Sequence, residues 1–244
     1  AFGIGKPRIS CHSPAAMDRT KVAILGASGY TGMELVRLLL HHPGAELAAV
    51  TSRTHAGKRI AEVFPRFAGA EASDLAFIKP EMKQVAASGA EVAFLALPHG
   101  AAADYARALL ELGLRVIDLS ADVRLHDAAV YQEFYGESHP APELLARAVY
   151  GLPEIHREAI TTAPLVASPG CYPTSILLPL IPLLREGLLD PASIVAHSMS
   201  GVSGAGRKAD VALLFVECNE SVRAYGLPKH RHLSEIEQEL SLAA

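Results

Sequence analysis

The stretch KVAILGASGYTGMELVRLLLHHPGAELAAVT, running from Lys21 to Thr51, decides the fold. Lys21–Leu25 is a short apolar run cut off by glycine, the pattern of a strand buried on both faces of a parallel sheet. Met33–His42 then places apolar residues at helical spacing and stops before the breaker pair Pro43-Gly44. Glu46–Thr51 reads as a second strand. Strand, helix and strand within about thirty residues make a βαβ unit, whose crossover is right-handed.

The alternation continues outward from this unit. Val92–Leu97 is a strand, Ala101–Leu112 a helix and Val116–Leu119 a strand. The predicted fold class is therefore α/β, a Rossmann-type doubly wound parallel sheet. From Asp122 to Pro153 tyrosines, histidines and prolines crowd together and periodicity weakens. Leu165–Ala167 is a strand leading into Pro169-Gly170-Cys171, and the helix that follows accepts Pro173 in its first turn. Ser193–Ser200 reads as a further strand and Gly201–Gly206 as a loop. Ser234 and Glu237 fit a capping box for a helix through Leu242. The boundary between two domains falls near Pro169.

Half of the 244 residues are hydrophobic and a fifth are charged, enough to build a core. The net charge of −4 is spread along the chain, without the basic stripe that nucleic acid requires. No apolar run approaches the ~20 residues of a membrane span. The longest, Ile176–Leu184, is interrupted by Pro179 and Pro182. Three cysteines, Cys11, Cys171 and Cys218, lack regular spacing, which argues against a disulfide framework and for a reducing cytoplasm. No Cys-x-x-Cys pair is present, so no metal is expected. Residues 1–16 contain Lys6, Arg8, Ser10 and Ser13 and no acid, and read as a leader or disordered extension.

Gly26-Ala27-Ser28-Gly29-Tyr30-Thr31-Gly32 sits between the first strand and the first helix. Glycines there permit a tight turn and close approach of backbone N–H groups to a pyrophosphate, and the helix N-terminus adds partial positive charge. Alone such a triplet is weak, and an ordinary strand–helix turn would look similar; the flanking elements favour the phosphate loop. At the end of the second strand an NAD enzyme offers an acid to the ribose. This chain offers Ser52 and Arg53, with Lys58 and Arg59 behind, and no carboxylate before Glu62. Hydroxyls and a guanidinium suit a 2′-phosphate, so NADP is the expected cofactor. A solvated loop is the alternative reading. Pro98 and His99 follow the third strand at the sheet edge that lines such a cofactor.

Cys171 follows a strand and a glycine and opens a helix. A helix N-terminus stabilises a thiolate, and the thiolate is the nucleophile. Most lone cysteines are small buried hydrophobes, which is how Cys218 and Cys11 read. The strand–turn–helix setting separates Cys171 from them.

In order along the chain, GASGYTG, LSADVRL (Leu119–Leu125), YGLPE (Tyr150–Glu154), SPGCYPT (Ser168–Thr174), SGVSGAGR (Ser200–Arg207) and YGLPKHRH (Tyr225–His232) resemble the N-acetyl-γ-glutamyl-phosphate reductase family. Aspartate-semialdehyde and glyceraldehyde-phosphate dehydrogenases share the chemistry, but Thr usually follows their nucleophile, where Tyr172 stands here. The resemblance implies an NADPH-dependent reduction of N-acetyl-γ-glutamyl phosphate to N-acetylglutamate 5-semialdehyde through a thioester on Cys171, a step of arginine biosynthesis. It implies a histidine of Lys229-His230-Arg231-His232 as acid–base; His230 is preferred and His232 stays open. Ser203 and Gly204 resemble the loop that meets the nicotinamide. Ser120 and Arg124 are candidates for the substrate's phosphate or carboxylate, unless Asp122 and Arg124 simply pair. Glu217 is a candidate to hold an active-site histidine or the substrate.

The expected organisation is an NADP-binding domain over 17–168 and an α+β catalytic domain over 169–244 that is shorter than the family's. The expected partners are a small acyl phosphate and inorganic phosphate, without nucleic acid or membrane, in a homo-oligomer. Two other readings stay open. One is a non-catalytic NADP-binding fragment. The other is an aspartate-semialdehyde dehydrogenase-like enzyme.

Overall fold

The computed structural model describes residues 19–244. The proposed leader and Cys11 lie outside the described residues. Seven strands form one parallel sheet: β1 (Thr20–Leu25), β2 (Ala45–Thr51), β3 (Phe77–Ile78), β4 (Val92–Leu95), β5 (Arg115–Asp118), β6 (Ala148–Tyr150) and β7 (Leu165–Ala167). Their spatial order is β3-β2-β1-β4-β5-β7-β6, and every pairing is parallel. The order runs outward both ways from β1, so the ends of β1 and β4 form the switch point where a crevice opens.

Side chains of β1 alternate between two cores, as a strand's two-residue period requires. Ala23 and Leu25 face a cluster completed by Val85 of α3 (Met82–Ala87) and by Ala102, Ala106 and Leu109 of α4 (Ala102–Glu111). Ile24 faces the opposite cluster with Val36 of α1 (Tyr30–Leu39), Ile60 of α2 (Ile60–Val63), Phe64 and Phe67. Burial on both faces is why KVAIL shows no polar alternation. The segment of weak periodicity holds α5 (Ala128–Tyr135), α6 (Pro142–Leu145), β6 and then α7 (Pro153–Thr162). Sequence reading left these unassigned because each of the first three is eight residues or shorter.

After β7 the chain enters α8 (Cys171–Arg185), which buries Leu177, Ile181 and Leu184. Leu177 and Ile181 pack with Tyr150, Leu152 and, from α10 (His232–Ala243), Ile236 and Leu240. Pro179 and Pro182 lie within α8 but on its exposed side. Each proline removes one backbone N–H from the helix at a position that faces solvent.

Two expectations are corrected in this second segment. Ser193–Ser200 is not a strand: a short 3₁₀ turn at Pro191–Ser193 is followed by irregular chain. An extended run needs a neighbouring strand to take its backbone N–H and C=O groups, and no described residues beyond 169 form one. The regular elements of the described residues beyond 169 are helical. Val195, Met199, Phe215 and Val222 stand exposed along this stretch. Second, Ser234 is not an N-cap. Helix α10 starts three residues earlier with Arg231 as its cap, and Ser234 Oγ donates to Arg231 O (3.0 Å) from within the first turn. Among the described residues no helix is long and apolar enough to cross a membrane.

Candidate active site

The phosphate loop is built by steric necessity at its two ends. Gly26 has φ +81°, and a Cβ there would lie 2.3 Å from Ala96 O at the end of β4. A Cβ on Gly32 would lie 2.3 Å from Gly26 O. Gly29 differs: an added Cβ would meet only Gly26 O, at 3.5 Å, an ordinary contact. The space beside Gly29 is a cradle that the protein itself does not fill. Gly29 is also the N-cap of α1, with no side-chain cap and no acid in the first turn. The N–H groups of Tyr30, Thr31 and Gly32 are thus left for an anion. The loop fits a dinucleotide phosphate. Gly29→Ala is expected to leave the melting temperature unchanged while weakening NADPH binding at least ~10-fold, the scale of one charged hydrogen bond. Gly32→Ala, by contrast, should destabilise the fold. Equal NADPH affinity of Gly29→Ala and the unmodified protein in a fluorescence titration would remove the phosphate-loop assignment.

The end of β2 is joined to this loop. Thr51 accepts Gly26 N at its hydroxyl (3.2 Å) and Ala27 N at its carbonyl (3.1 Å). Ser28 and Ser52 share a hydrogen bond at 2.9 Å, and Ser52 Oγ also accepts His55 N. Arg53 is exposed beside them, whereas Arg59 is held by Glu62 and Asp74. The cofactor-selecting end therefore offers Ser28, Ser52 and Arg53, while Arg59 is engaged elsewhere.

Pro98 follows β4 at the same edge. His99 Nδ1 lies 2.9 Å from Asp122 Oδ1, and the ring stacks near Tyr135 at 4.3 Å. Asp122 accepts the N–H groups of Gly100, Ala102 and Ala103, closing the start of α4. Burial pushes its carboxyl up, but His99 and these backbone donors outweigh that and hold it below the usual range. Asp122 and Arg124 therefore do not pair with each other. Ser120 is occupied as well: its N–H and hydroxyl both donate to Asp118, and its oxygen accepts Asp122 N. Burial pushes the Asp118 carboxyl up to about 6.

Cys171 is exposed and is the first residue of α8, with Gly170 as N-cap and no acid in the first turn. Gly170 is glycine for a visible reason. A Cβ there would lie 2.2 Å from His232 Cε1, so the imidazole lies against the turn that carries Cys171. His232 Nδ1 is 3.0 Å from Glu235 Oε2 one helical turn on. Glu235 is buried and accepts further donors: Tyr150 OH (2.7 Å) and Gly170 N (2.8 Å), with Arg124 Nη1 at 3.4 Å. Burial pushes this carboxyl up, yet His232, Arg124 and the two hydrogen bonds hold it below the usual glutamate range. Burial and the same carboxylate push the Tyr150 phenol upward, which keeps it a donor.

His230 stands next to this group. Its ring stacks on His232 at 5.2 Å and meets Tyr172 edge-on at 5.4 Å. Burial, followed by the charges of His232 and Arg231, lowers its pKa, which favours the neutral ring. The structure thus brings Cys171, His230 and His232 to one corner.

Other expected residues are placed differently. Arg124 is buried, donates to Ser168 O and Leu119 O at 2.8 and 2.9 Å and lies against Glu235. It links the ends of β5 and β7 to α10 rather than standing open to a substrate phosphate. Glu217 is exposed on α9 (Phe215–Cys218) and makes no ion pair with a histidine among the described residues. Glu235 does what was expected of it. The missed signal was a Glu three residues after His232 at the start of a helix, the spacing that puts both on one face. Ser203 and Gly204 lie on an exposed 3₁₀ turn, Val202–Ala205. Cys218 Sγ is 3.1 Å from Ala212 O and is half-buried.

Comparison with known proteins agrees with this geometry. Residues 21–163 match the semialdehyde dehydrogenase NAD binding domain, and residues 171–244 match the semialdehyde dehydrogenase dimerisation domain. The chain is 63% identical over 228 residues to an N-acetyl-gamma-glutamyl-phosphate reductase of Akkermansia muciniphila, covering 93% of this chain and 66% of that protein. It is 54% identical to the Moorella thermoacetica protein of the same name, covering 92% of this chain and 64% of the relative. The chain therefore spans about two thirds of the length of the curated relatives it matches. Among solved structures, aspartate semialdehyde dehydrogenase II from Vibrio cholerae superposes with a TM-score of 0.52 at 20% identity, over 78% of this chain and 49% of that one. That likeness shows a shared fold. A nucleotide-binding sheet that ends in a cysteine–imidazole corner, with both family domains matched in order, places this chain in the semialdehyde dehydrogenase family.

Proposed function

We propose that this chain carries the active site of an NADPH-dependent N-acetyl-γ-glutamyl-phosphate reductase, acting in arginine biosynthesis. The observation that carries the reading is the corner where Cys171 opens α8 with an imidazole packed against Gly170, on the sheet edge that also bears the phosphate loop. Gly26, Ser28, Gly29, Tyr30, Thr31 and Gly32 would hold the diphosphate. Ser52 and Arg53 would take the 2′-phosphate, with Pro98, Ser203 and Gly204 nearer the nicotinamide. When bound, the nicotinamide supplies the hydride.

The Cys171 thiolate attacks the γ-carbonyl of the acyl phosphate. Backbone N–H groups at the start of α8 face the oxyanion that forms. Phosphate leaves with the electron pair of the broken C–O bond, and a thioester on Cys171 remains. After reduction of that carbonyl, the hemithioacetal collapses, releasing the semialdehyde and regenerating the thiolate. An imidazole takes and returns the proton. His230 is the assigned acid–base, because its neutral ring can accept a proton. A second reading assigns His232, which Glu235 orients and which touches the nucleophile's turn. The dimerisation-domain match supports self-association. The exposed thiol suits the cytoplasm, where it stays reduced.

The test is phosphate-dependent reduction of NADP⁺ by the purified chain with N-acetylglutamate semialdehyde and, separately, aspartate semialdehyde. Turnover with the first and not the second is expected, with NAD⁺ a poorer oxidant. NADPH binding without turnover on either aldehyde would leave a cofactor-binding fragment. In an active chain, His230→Asn should lower the rate ~100-fold or more and His232→Asn less, as loss of acid–base catalysis predicts. The reverse ranking moves the role to His232.

A further inference from the structure

Arg207 lies in SGVSGAGR, far along the chain from the phosphate loop, yet the fold brings the two together. Its guanidinium carbon is 5.0 Å from the centre of the Tyr30 ring and 5.9 Å from that of Phe64. Its Nη2 lies 3.8 Å from Met33 Sδ, a weak acceptor. Tyr30 is the first residue of α1 and Met33 follows one turn later, so the guanidinium rests on the opening turn of that helix. No carboxylate of the described residues pairs with Arg207, whereas Arg37 pairs with Glu34 and Arg59 with Glu62 and Asp74. A guanidinium packed over an aromatic ring with no carboxylate partner still has N–H groups to offer a planar or tetrahedral oxyanion. The phosphate loop contains no cation of its own between Gly26 and Gly32.

We infer that Arg207 supplies the missing cation to the diphosphate of the bound dinucleotide, reaching it from the second segment across the first turn of α1. The inference rests on the cofactor reading above. Its assignment to the diphosphate follows from position. Tyr30 stands where the unpaired N–H groups of α1 begin, whereas Ser28, Ser52 and Arg53 mark the ribose end. Because Arg207 closes the loop that holds Ser203 and Gly204, the same contact draws that loop onto the nucleotide-binding lobe when a dinucleotide is present.

The test is a fluorescence titration of the chain with NADPH and NADH, and a calorimetric titration with 2′-AMP, at low and high salt. Arg207→Gln should weaken NADPH and NADH by a similar factor, about tenfold, the scale of one charge-assisted hydrogen bond. It should leave 2′-AMP binding unchanged. The loss should shrink at high salt, because an exposed charge contact is screened. Arg207→Lys should recover part of the affinity, since a lysine restores the charge without the fork. Arg207 is exposed, so its removal should not move the melting temperature. Unchanged dinucleotide affinity in Arg207→Gln would overturn the inference while leaving the cofactor reading intact. A loss confined to NADPH and 2′-AMP would also overturn it, by moving the contact to the 2′-phosphate. Failure of the unmodified chain to bind any dinucleotide would remove the cofactor reading and this inference together.

Discussion

Cys171→Ser is expected to abolish phosphate-dependent turnover, by ~1000-fold or more, while leaving NADPH affinity at its original value. A serine hydroxyl is a poor nucleophile without deprotonation, and losing the nucleophile of a catalytic unit costs about as much as losing the whole unit. Cofactor affinity should survive because the phosphate loop is built by β1, β2 and α1, which Cys171 does not touch. Alkylating reagent should modify Cys171 faster than Cys218, whose sulfur sits against Ala212 O. Saturating acyl substrate should protect Cys171. If the serine variant kept near-normal rates, the thioester route would be wrong, and hydride transfer without covalent catalysis would take its place.

Glu235→Ala is expected to lower stability by ~3–5 kcal/mol, the usual consequence of stripping one partner from a buried charged group. Arg124 would be left buried without its carboxylate, and Tyr150 OH and Gly170 N would each lose an acceptor. That is a large share of the ~5–15 kcal/mol by which domains are stable, so the second segment should detach first. The pH dependence has a definite sign. The carboxyl is held below its ordinary value in the folded chain. Its contribution is therefore present above the ordinary glutamate range and is lost as pH falls through the depressed value. Urea titrations at pH 7 and near pH 3 should show a smaller gap between the unmodified chain and Glu235→Ala at the lower pH. A variant with an unchanged urea midpoint at pH 7 would mean that Glu235 does not hold these elements together.

What sequence alone conveys here follows from the range of the interactions. The βαβ start, the phosphate loop and the Gly170-Cys171 turn are local, so KVAIL, GASGYTG and SPGC announce them. Short elements such as β6, with only three residues, carry too little periodicity to read. Ser193–Ser200 has strand-like composition, but a strand exists only with a neighbour to pair. Ser120 and Arg124 occur in a motif beside the site, and the motif alone does not show what they touch. Only the fold reveals that their polar groups already meet Asp118, Ser168, Leu119 and Glu235. Three of Glu235's partners stand 65, 85 and 111 residues away and leave no local trace; only its spacing from His232, three residues before it, was legible in the sequence.

Those separations also set an order in time. A chain made at ~5–20 residues per second exposes Cys171 about 3–13 s before Glu235 leaves the synthesis site, given 235 − 171 = 64 residues between them. Throughout that interval β1 to β7 can assemble, since none of their pairings requires anything beyond Ala167. His232 and Glu235 emerge only at the end of that interval, so the imidazole and the carboxylate that orients it arrive together in one turn of α10. The corner around Cys171 is therefore the last part of the fold to be completed, when α10 arrives.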